Sequence, residues 1–528
     1  MSSKITPRFL QGPSLVAAIT SVCSSGFLLF GYDQGVMSGV VISSYWLSSM
    51  GNPSTLMIGT ITALYDVGAV FGAIAAAFTT EYLGRKRTLL LGTLIVMVGG
   101  IVMGTSYERI QFMSARVITG IGIGYVTSVT PVYQSEISAA AQRGWQVCCQ
   151  LSTMLFGLML AYWINYGVYF HKSDLQWRFP LLFQCVFALY ILAVTVWLPD
   201  TPRWLMRHDQ NEDRGLAVLA RLRGTSIDDL AVQKEKDEIM GAIMMIEEKE
   251  EGTWGDLFRD NGIKANKRFY LALGIQFMQQ LSGINIITYY APTLFKSSLG
   301  MSQETSLFLG CFLQLFYLIA SFLTWWTIDR VGRRKLFIIN AIGMCLVLIA
   351  EAICVFPQTP TASIIAVVLI FAFEALFTWG WMATVWVYPP EILPLKIRAK
   401  GASLAAAADF LGNFLVVEIT PPALENIGYK TYIIFAVFNV TLESMDRLFV
   451  GQGVDWQLGD SDEGVREGLV GKLQWIMVRK AKSMGKNGGR RNASLAEEVF
   501  AEGAEDVEAW KPSEERIDQL RGKERSTS

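Results

Sequence analysis

The chain has 528 residues, 52% of them hydrophobic and only 17% charged, with a formal net charge of -1. A soluble chain carries roughly a quarter charged residues, so the composition points into a membrane, and the balanced charge argues against a nucleic-acid partner. Seven cysteines without C-x-x-C pairs and two histidines, His171 and His208, both read as lying in polar loops, argue against a disulfide framework, a zinc site or a His-based triad, so no metal or cofactor is expected.

A hydrocarbon core needs about 20 apolar residues in helix. Such runs lie at 14–31, 56–79, 88–105, 110–133, 145–168, 179–198, 269–294, 305–328, 335–356, 363–388 and 399–423, followed by a half-run at 431–440. The first run follows only Lys4 and Arg8 and lacks a small-residue cleavage site, so it reads as a retained span. The joins "EYLGRKRT", "AAAQRG", "DRVGRRK" and "PLKIRAKG" are basic, whereas "SSYWLSSMGNPST" and "PQTPTAS" carry no cation. Positive-inside bias therefore puts the N-terminus and the segment 201–268, expected to form short amphipathic helices, in the cytoplasm.

The chain repeats itself. E-x-x-G-R-K-R from Glu81 returns as D-x-x-G-R-R-K from Asp329, and V-Y-x-x-E-I at Val132 returns at Val387, each with Arg seven residues after its Glu. The reading is two six-span halves, 1–200 and 269–440, around the loop 201–268, with a polar, largely disordered tail at 441–528.

These segments, with "GYDQGVMSG", "RVITGIGIG", "LPDTPRWL", "QQLSGINIITYYAP" and "WVYPPEILPLKIRAKG" in order, resemble the sugar porter family of the major facilitator superfamily. The wording is nearest to fungal hexose transporters and glycerol/polyol proton symporters. The resemblance implies an all-α membrane fold of two six-helix bundles, working by alternating access on a monosaccharide or polyol. Its other implied partners are protons and the lipid bilayer, and it implies a monomer, by likeness in the plasma membrane.

Gln279, Gln280 and Asn285 are amides in an apolar run; facing lipid they would cost several kcal/mol each, so they must face protein or a polar cavity. Helix–helix bonding is the plain alternative. The resemblance implies that they, with Tyr290, Trp386 and Asn413, contact sugar. Three positions depart from the hexose pattern: Leu151 takes the place of a glutamine, leaving Gln150 one residue earlier, while Tyr317 and Asp409 replace amides. One residue is about a hundred degrees around a helix, so glucose is disfavoured, and pentoses, polyols and acidic sugars stay open.

Charges inside a membrane are functional by default. Asp33 and Arg116 match the proton-coupling pair of symporting relatives; a permanent structural pair in a passive carrier is the alternative. Asp66, Asp409, Glu374 and Glu418 each read singly as structural. Arg85, Glu136, Arg143, Asp329, Arg333, Glu391 and Arg398 are assigned to cytoplasmic gating, with acid–base pairs expected to bridge the halves while the cavity opens outward. A non-transporting sugar sensor is a further alternative. An enzyme is disfavoured: there is no nucleotide loop, and the glycines of "GIGIG" read as helix packing.

"YIIFAVFNVTLESMDRLFVG" turns from apolar to charged after Val440. Family members continue for about twenty residues to P-E-T-x-G-R, so an in-frame loss between Val440 and Thr441 is expected, with lineage-specific shortening as the alternative. Ten residues rise about 15 Å, half a bilayer core. Asn439 and Asn492 form sequons that matter only if the tail lies outside the cell.

Overall fold

In a computed structural model of the chain the described residues are 11–138, 143–208, 213–248, 254–259, 265–297, 300–357, 359–394 and 397–444. Among them every regular element is helical, as hydrocarbon demands, since only a helix satisfies its own backbone without water or a closed barrel. The first half holds α1 (Pro13–Val40), α2 (Ser44–Ser49), α3 (Thr55–Leu83), α4 (Arg85–Gly104), α5 (Arg109–Ile137), α6 (Arg143–Tyr169) and α7 (Leu175–Thr195). Three short helices follow, α8 (Pro202–His208), α9 (Asp213–Arg223) and α10 (Leu230–Glu248). The second half holds α11 (Ala265–Leu281), α12 (Ile284–Ser297), α13 (Gln303–Val331), α14 (Arg333–Val355), α15 (Pro360–Phe377), α16 (Ala383–Ile392), α17 (Arg398–Asn426) and α18 (Lys430–Ser444). A π-helical turn, Thr378–Met382, joins α15 to α16. Ten helices among the described residues are long and apolar enough to cross a membrane.

Small residues let the helices approach backbone to backbone, the packing mode that replaces hydrophobic drive inside lipid. A Cβ added to Gly68 would strike the carbonyl oxygen of Val117, and one added to Gly120 or Gly124 those of Tyr65 or Ala69, which fuses α3 to α5. The "GIGIG" glycines are thus packing residues. Between the halves, α17 packs on α3, α13 on α6, and α12 on α1.

The run 269–294, expected as one span, is broken. Gly283 takes φ +94°, Ser282 and Gly283 close i→i+3 turns onto Gln279 and Gln280, and α12 starts afresh. A Cβ on Gly283 would lie 3.1 Å from the Phe435 ring, so glycine serves both the turn and the close approach. The break frees the Ser282 carbonyl, which accepts a 2.9 Å bond from Asn439 Nδ2 on α18.

That contact revises two further expectations. Helix α18 runs through the composition change at Val440 to Ser444, rising about 22 Å rather than 15 Å. Asn439 is fully buried within it, so its sequon is out of reach of glycosylation in this fold. Asn492 and the tail from 445 lie outside the described residues. His208, read as a loop residue, closes α8 and stacks on Trp204 with ring centroids 5.0 Å apart.

Candidate functional site

The amides expected at the site converge on the break between α11 and α12. Gln279 and Gln280 end α11, Asn285 begins α12, and all three are buried. Gln280 Nε2 donates to Asp409 Oδ1 of α17 at 2.5 Å, and Gln280 Oε1 accepts from Asn285 Nδ2. The pair expected on one helical face therefore meets across a kink, with Gln280 held from both sides. Gln279 keeps Oε1 without a protein hydrogen-bond partner.

Asn413 on α17 donates to Asp66 Oδ1 of α3 at 2.8 Å and to the Tyr289 hydroxyl of α12 at 3.2 Å. Both its N–H groups are thus engaged, and its Oδ1 has no protein partner. Tyr290 donates to the Val417 carbonyl at 3.2 Å and is buried with Tyr289, Ala63 and Val417. Trp386 is half-buried on α16, against the main core. Gln150 on α6 is buried with Nε2 unpartnered, and its neighbour Leu151 packs into the core. Buried polar atoms normally find partners, so Gln150, Gln279 and Asn413 carry hydrogen-bonding capacity that a polyhydroxy molecule could use. Gln150 on α6 and Asn413 on α17 lie on helices of the interface between halves, and Gln279 lies on α11, which packs against α17.

Arg116 and Asp33 are both fully buried, with Arg116 Nη1 3.3 Å from Asp33 Oδ2. Arg116 Nη2 also donates to the Thr62 carbonyl at 2.9 Å, and its guanidinium lies 4.7 Å from the Tyr65 ring centroid. A buried charge is tolerated only with such compensation.

The internal sequence repeat is a structural repeat as well. Gly84 and Gly332 take φ +81° and +87°, and the arginine after each opens a helix. Arg85 pairs with Glu136 at 2.8 Å and Arg333 with Glu391 at 3.0 Å. In this structure both pairs lie within one half: each arginine starts a helix beside the end of another in its own half. Arg398 Nε donates to the Leu393 carbonyl at 3.3 Å near its own helix start. The side chains of Arg143 and Asp329 lie outside the described residues. In the first half Glu81 adds bonds to Arg85 and Arg207. Asp200, between α7 and α8, accepts from the backbone N–H of Arg85 and Thr201, each at 3.0 Å. Burial pushes its carboxyl above the usual range, against the pull of those N–H groups and the Arg85 charge.

The family described as "Sugar (and other) transporter" matches residues 17–444. The chain belongs to this sugar transporter family. Among its relatives in the family, the MFS-type transporter oryC of Aspergillus oryzae is 37% identical over 467 residues, covering 87% of this chain and 86% of oryC. The Sugar transporter STL1 of Saccharomyces cerevisiae is 31% identical, over 81% of this chain and 78% of STL1. Among solved structures, the proton:xylose symporter XylE of E. coli, bound to 6-bromo-6-deoxy-D-glucose, superposes with TM-score 0.70 at 26% identity, over 83% of this chain and 96% of XylE. The all-α, two-bundle major facilitator fold and a multi-pass membrane protein of a transporter family follow from these matches and the ten spans.

Several residues of the site escaped sequence reading in their present roles. Asp66 and Tyr289 bond to Asn413, and Tyr162 donates to the Thr288 carbonyl across the halves at 2.7 Å. Ser152 and Ser321 meet at 2.8 Å between α6 and α13. Only Asp66 carried a sequence signal, as a charge within an apolar run.

Proposed function

We propose that this protein carries a monosaccharide or polyol across the membrane by alternating access between its halves, 1–200 and 269–440, with protons as the coupling ion. The observation that carries the coupled reading is the Asp33–Arg116 pair, a buried charge pair on the helices that face the interface. Proton uptake by Asp33 would release Arg116, and a nearby cation in turn favours loss of that proton. Gln279, Gln280, Asn285, Tyr290, Trp386, Asn413 and Gln150 supply the hydroxyl-recognising surface. Gln279 Oε1, Gln150 Nε2 and Asn413 Oδ1 are the groups able to bond substrate without breaking a protein bond. Arg85–Glu136 and Arg333–Glu391 act as clamps that keep helix ends together within each half on the basic, cytoplasmic side. The protein works as a monomer in the plasma membrane, with 201–268 as a cytoplasmic helical segment.

The second reading, a passive facilitator, draws on the Thr62 and Tyr65 contacts of Arg116, which would hold a permanent pair. Uptake of pentoses, hexoses and polyols in cells lacking their own carriers, with and without an uncoupler, separates the two. Accumulation abolished by uncoupler supports symport, equilibration insensitive to it supports the facilitator, and no uptake of any of them with sugar-dependent signalling supports a sensor.

A further inference from the structure

We propose that Asp66 is a positioning residue that ties the Asp33–Arg116 pair to helix α12, so that proton uptake at Asp33 loosens α12. This rests on the reading of Asp33 as the proton site. The observation is a continuous run of contacts through both halves. Asp33 on α1 pairs with Arg116 on α5; Arg116 is fastened to α3 at the Thr62 carbonyl and over the Tyr65 ring; Asp66, also on α3, accepts from Asn413 on α17; and Asn413 holds the Tyr289 hydroxyl on α12. Helix α12 has 14 residues and is parted from α11 by Gly283, so it can shift as a unit.

Charge and hydrogen bonding set the direction. The charged and titratable groups facing Asp66 are Arg116 on α5, Asp33 on α1, Asp409 on α17, Tyr65 on its own helix, and Tyr289 and Tyr290 on α12. Arg116 is the one cation among them, shared by two carboxylates, since Asp409 is engaged by Gln280. Arg116 Nε is a buried donor and Asp66 Oδ2 a buried acceptor, each without a protein partner. While Asp33 is ionised, it retains Arg116. Once Asp33 takes a proton, the guanidinium is drawn to Asp66, competes with Asn413 for that carboxylate, and Asn413 releases Tyr289. Both readings of Asp66 agree on the fold; only this one couples it to Asp33.

Hydrogen–deuterium exchange of α12 in the full-length protein in lipid nanodiscs tests this without any substrate, so a mistaken substrate class leaves the result standing. Asp33→Asn imitates the protonated state, and α12 amides should exchange up to about tenfold faster, the scale of one lost hydrogen bond between neutral groups. Adding Asp66→Asn keeps an oxygen for Asn413 but removes the charge that draws Arg116, and exchange should return to the wild-type rate. A double variant as fast as Asp33→Asn alone, or an Asp33→Asn variant with unchanged α12, overturns the proposal. Where Asp33→Asn fails to fold, wild type and Asp66→Asn are compared in acidic and neutral buffer after correction for intrinsic exchange. Acid should speed α12 in the wild type and not in Asp66→Asn; an equal response in both overturns it. Coupled uptake is measured separately, and its absence would refute the symport reading instead.

Discussion

Asn439 Nδ2 on α18 donates to the carbonyl oxygen of Ser282, the residue at which α11 stops. A second bond from the same nitrogen, 2.8 Å to the Phe435 carbonyl, fixes the amide on its own helix. The last described helix therefore supports the turn that carries Gln279, Gln280 and Asn285, and it does so from the stretch just before the change in composition at Val440.

Asn439→Ala should accordingly leave a buried carbonyl unpaired, at about 1–3 kcal/mol, and lower the midpoint of thermal unfolding of the purified protein. Asn439→Asp lacks the donor and should be no better. A midpoint equal to wild type in both would show that the Ser282 carbonyl does not depend on α18.

The α3–α5 seam makes a sharper prediction about folding. Gly120→Val places a branched side chain against the Tyr65 carbonyl, which is backbone and cannot swing away. Loss of a monodisperse peak in size-exclusion chromatography is expected. Gly167→Ala, where nothing lies within 4 Å of the added carbon, should elute as wild type.

Gln280→Ala removes the acceptor of Asn285 and the donor to Asp409 together. The expected effect is an increase in KM for the transported sugar or polyol of about tenfold or more, with surface abundance retained. An unchanged KM would place recognition elsewhere than the α11–α12 break.

The two clamps differ in burial, and the difference predicts their strength. Arg85 and Glu136 expose 11% and 9% of their side chains, Arg333 and Glu391 27% and 45%. Exposed pairs contribute about 0–1 kcal/mol, whereas breaking a buried one costs about 3–5 kcal/mol. Glu136→Ala should thus destabilise the protein more than Glu391→Ala in the same thermal assay. The charge-swapped Arg85→Glu/Glu136→Arg protein should recover part of the loss.

Ten of the eleven full apolar runs and the paired G-R-K-R and G-R-R-K turns were legible in sequence because hydropathy, cation placement and internal repetition are local signals. The fracture of the seventh run was visible only as Ser282–Gly283 within apolar residues, and a serine–glycine pair alone does not tell a break from a packing contact. Partners were the least legible. Arg85 and Glu136 are 51 residues apart and Asp66 and Asn413 347, and nothing in either local sequence specifies which helix faces which. Bridges between halves were expected with the cavity open outward, and in this structure Arg85 and Arg333 pair inside their own halves. Asn413, taken as a substrate contact through its amide, has both donors committed to Asp66 and Tyr289, which leaves its oxygen for that role.

The central claim, proton-coupled carriage through Asp33, is tested most directly by reconstituting the full-length protein in liposomes that enclose a pH-sensitive dye. Xylose, glucose and glycerol are added outside in turn, with no other ion gradient. The account predicts internal acidification on adding a transported compound, and its loss in Asp33→Asn although exchange of labelled compound across the same liposomes persists. Transport of any of the three without a change in internal pH would contradict it and leave a facilitator.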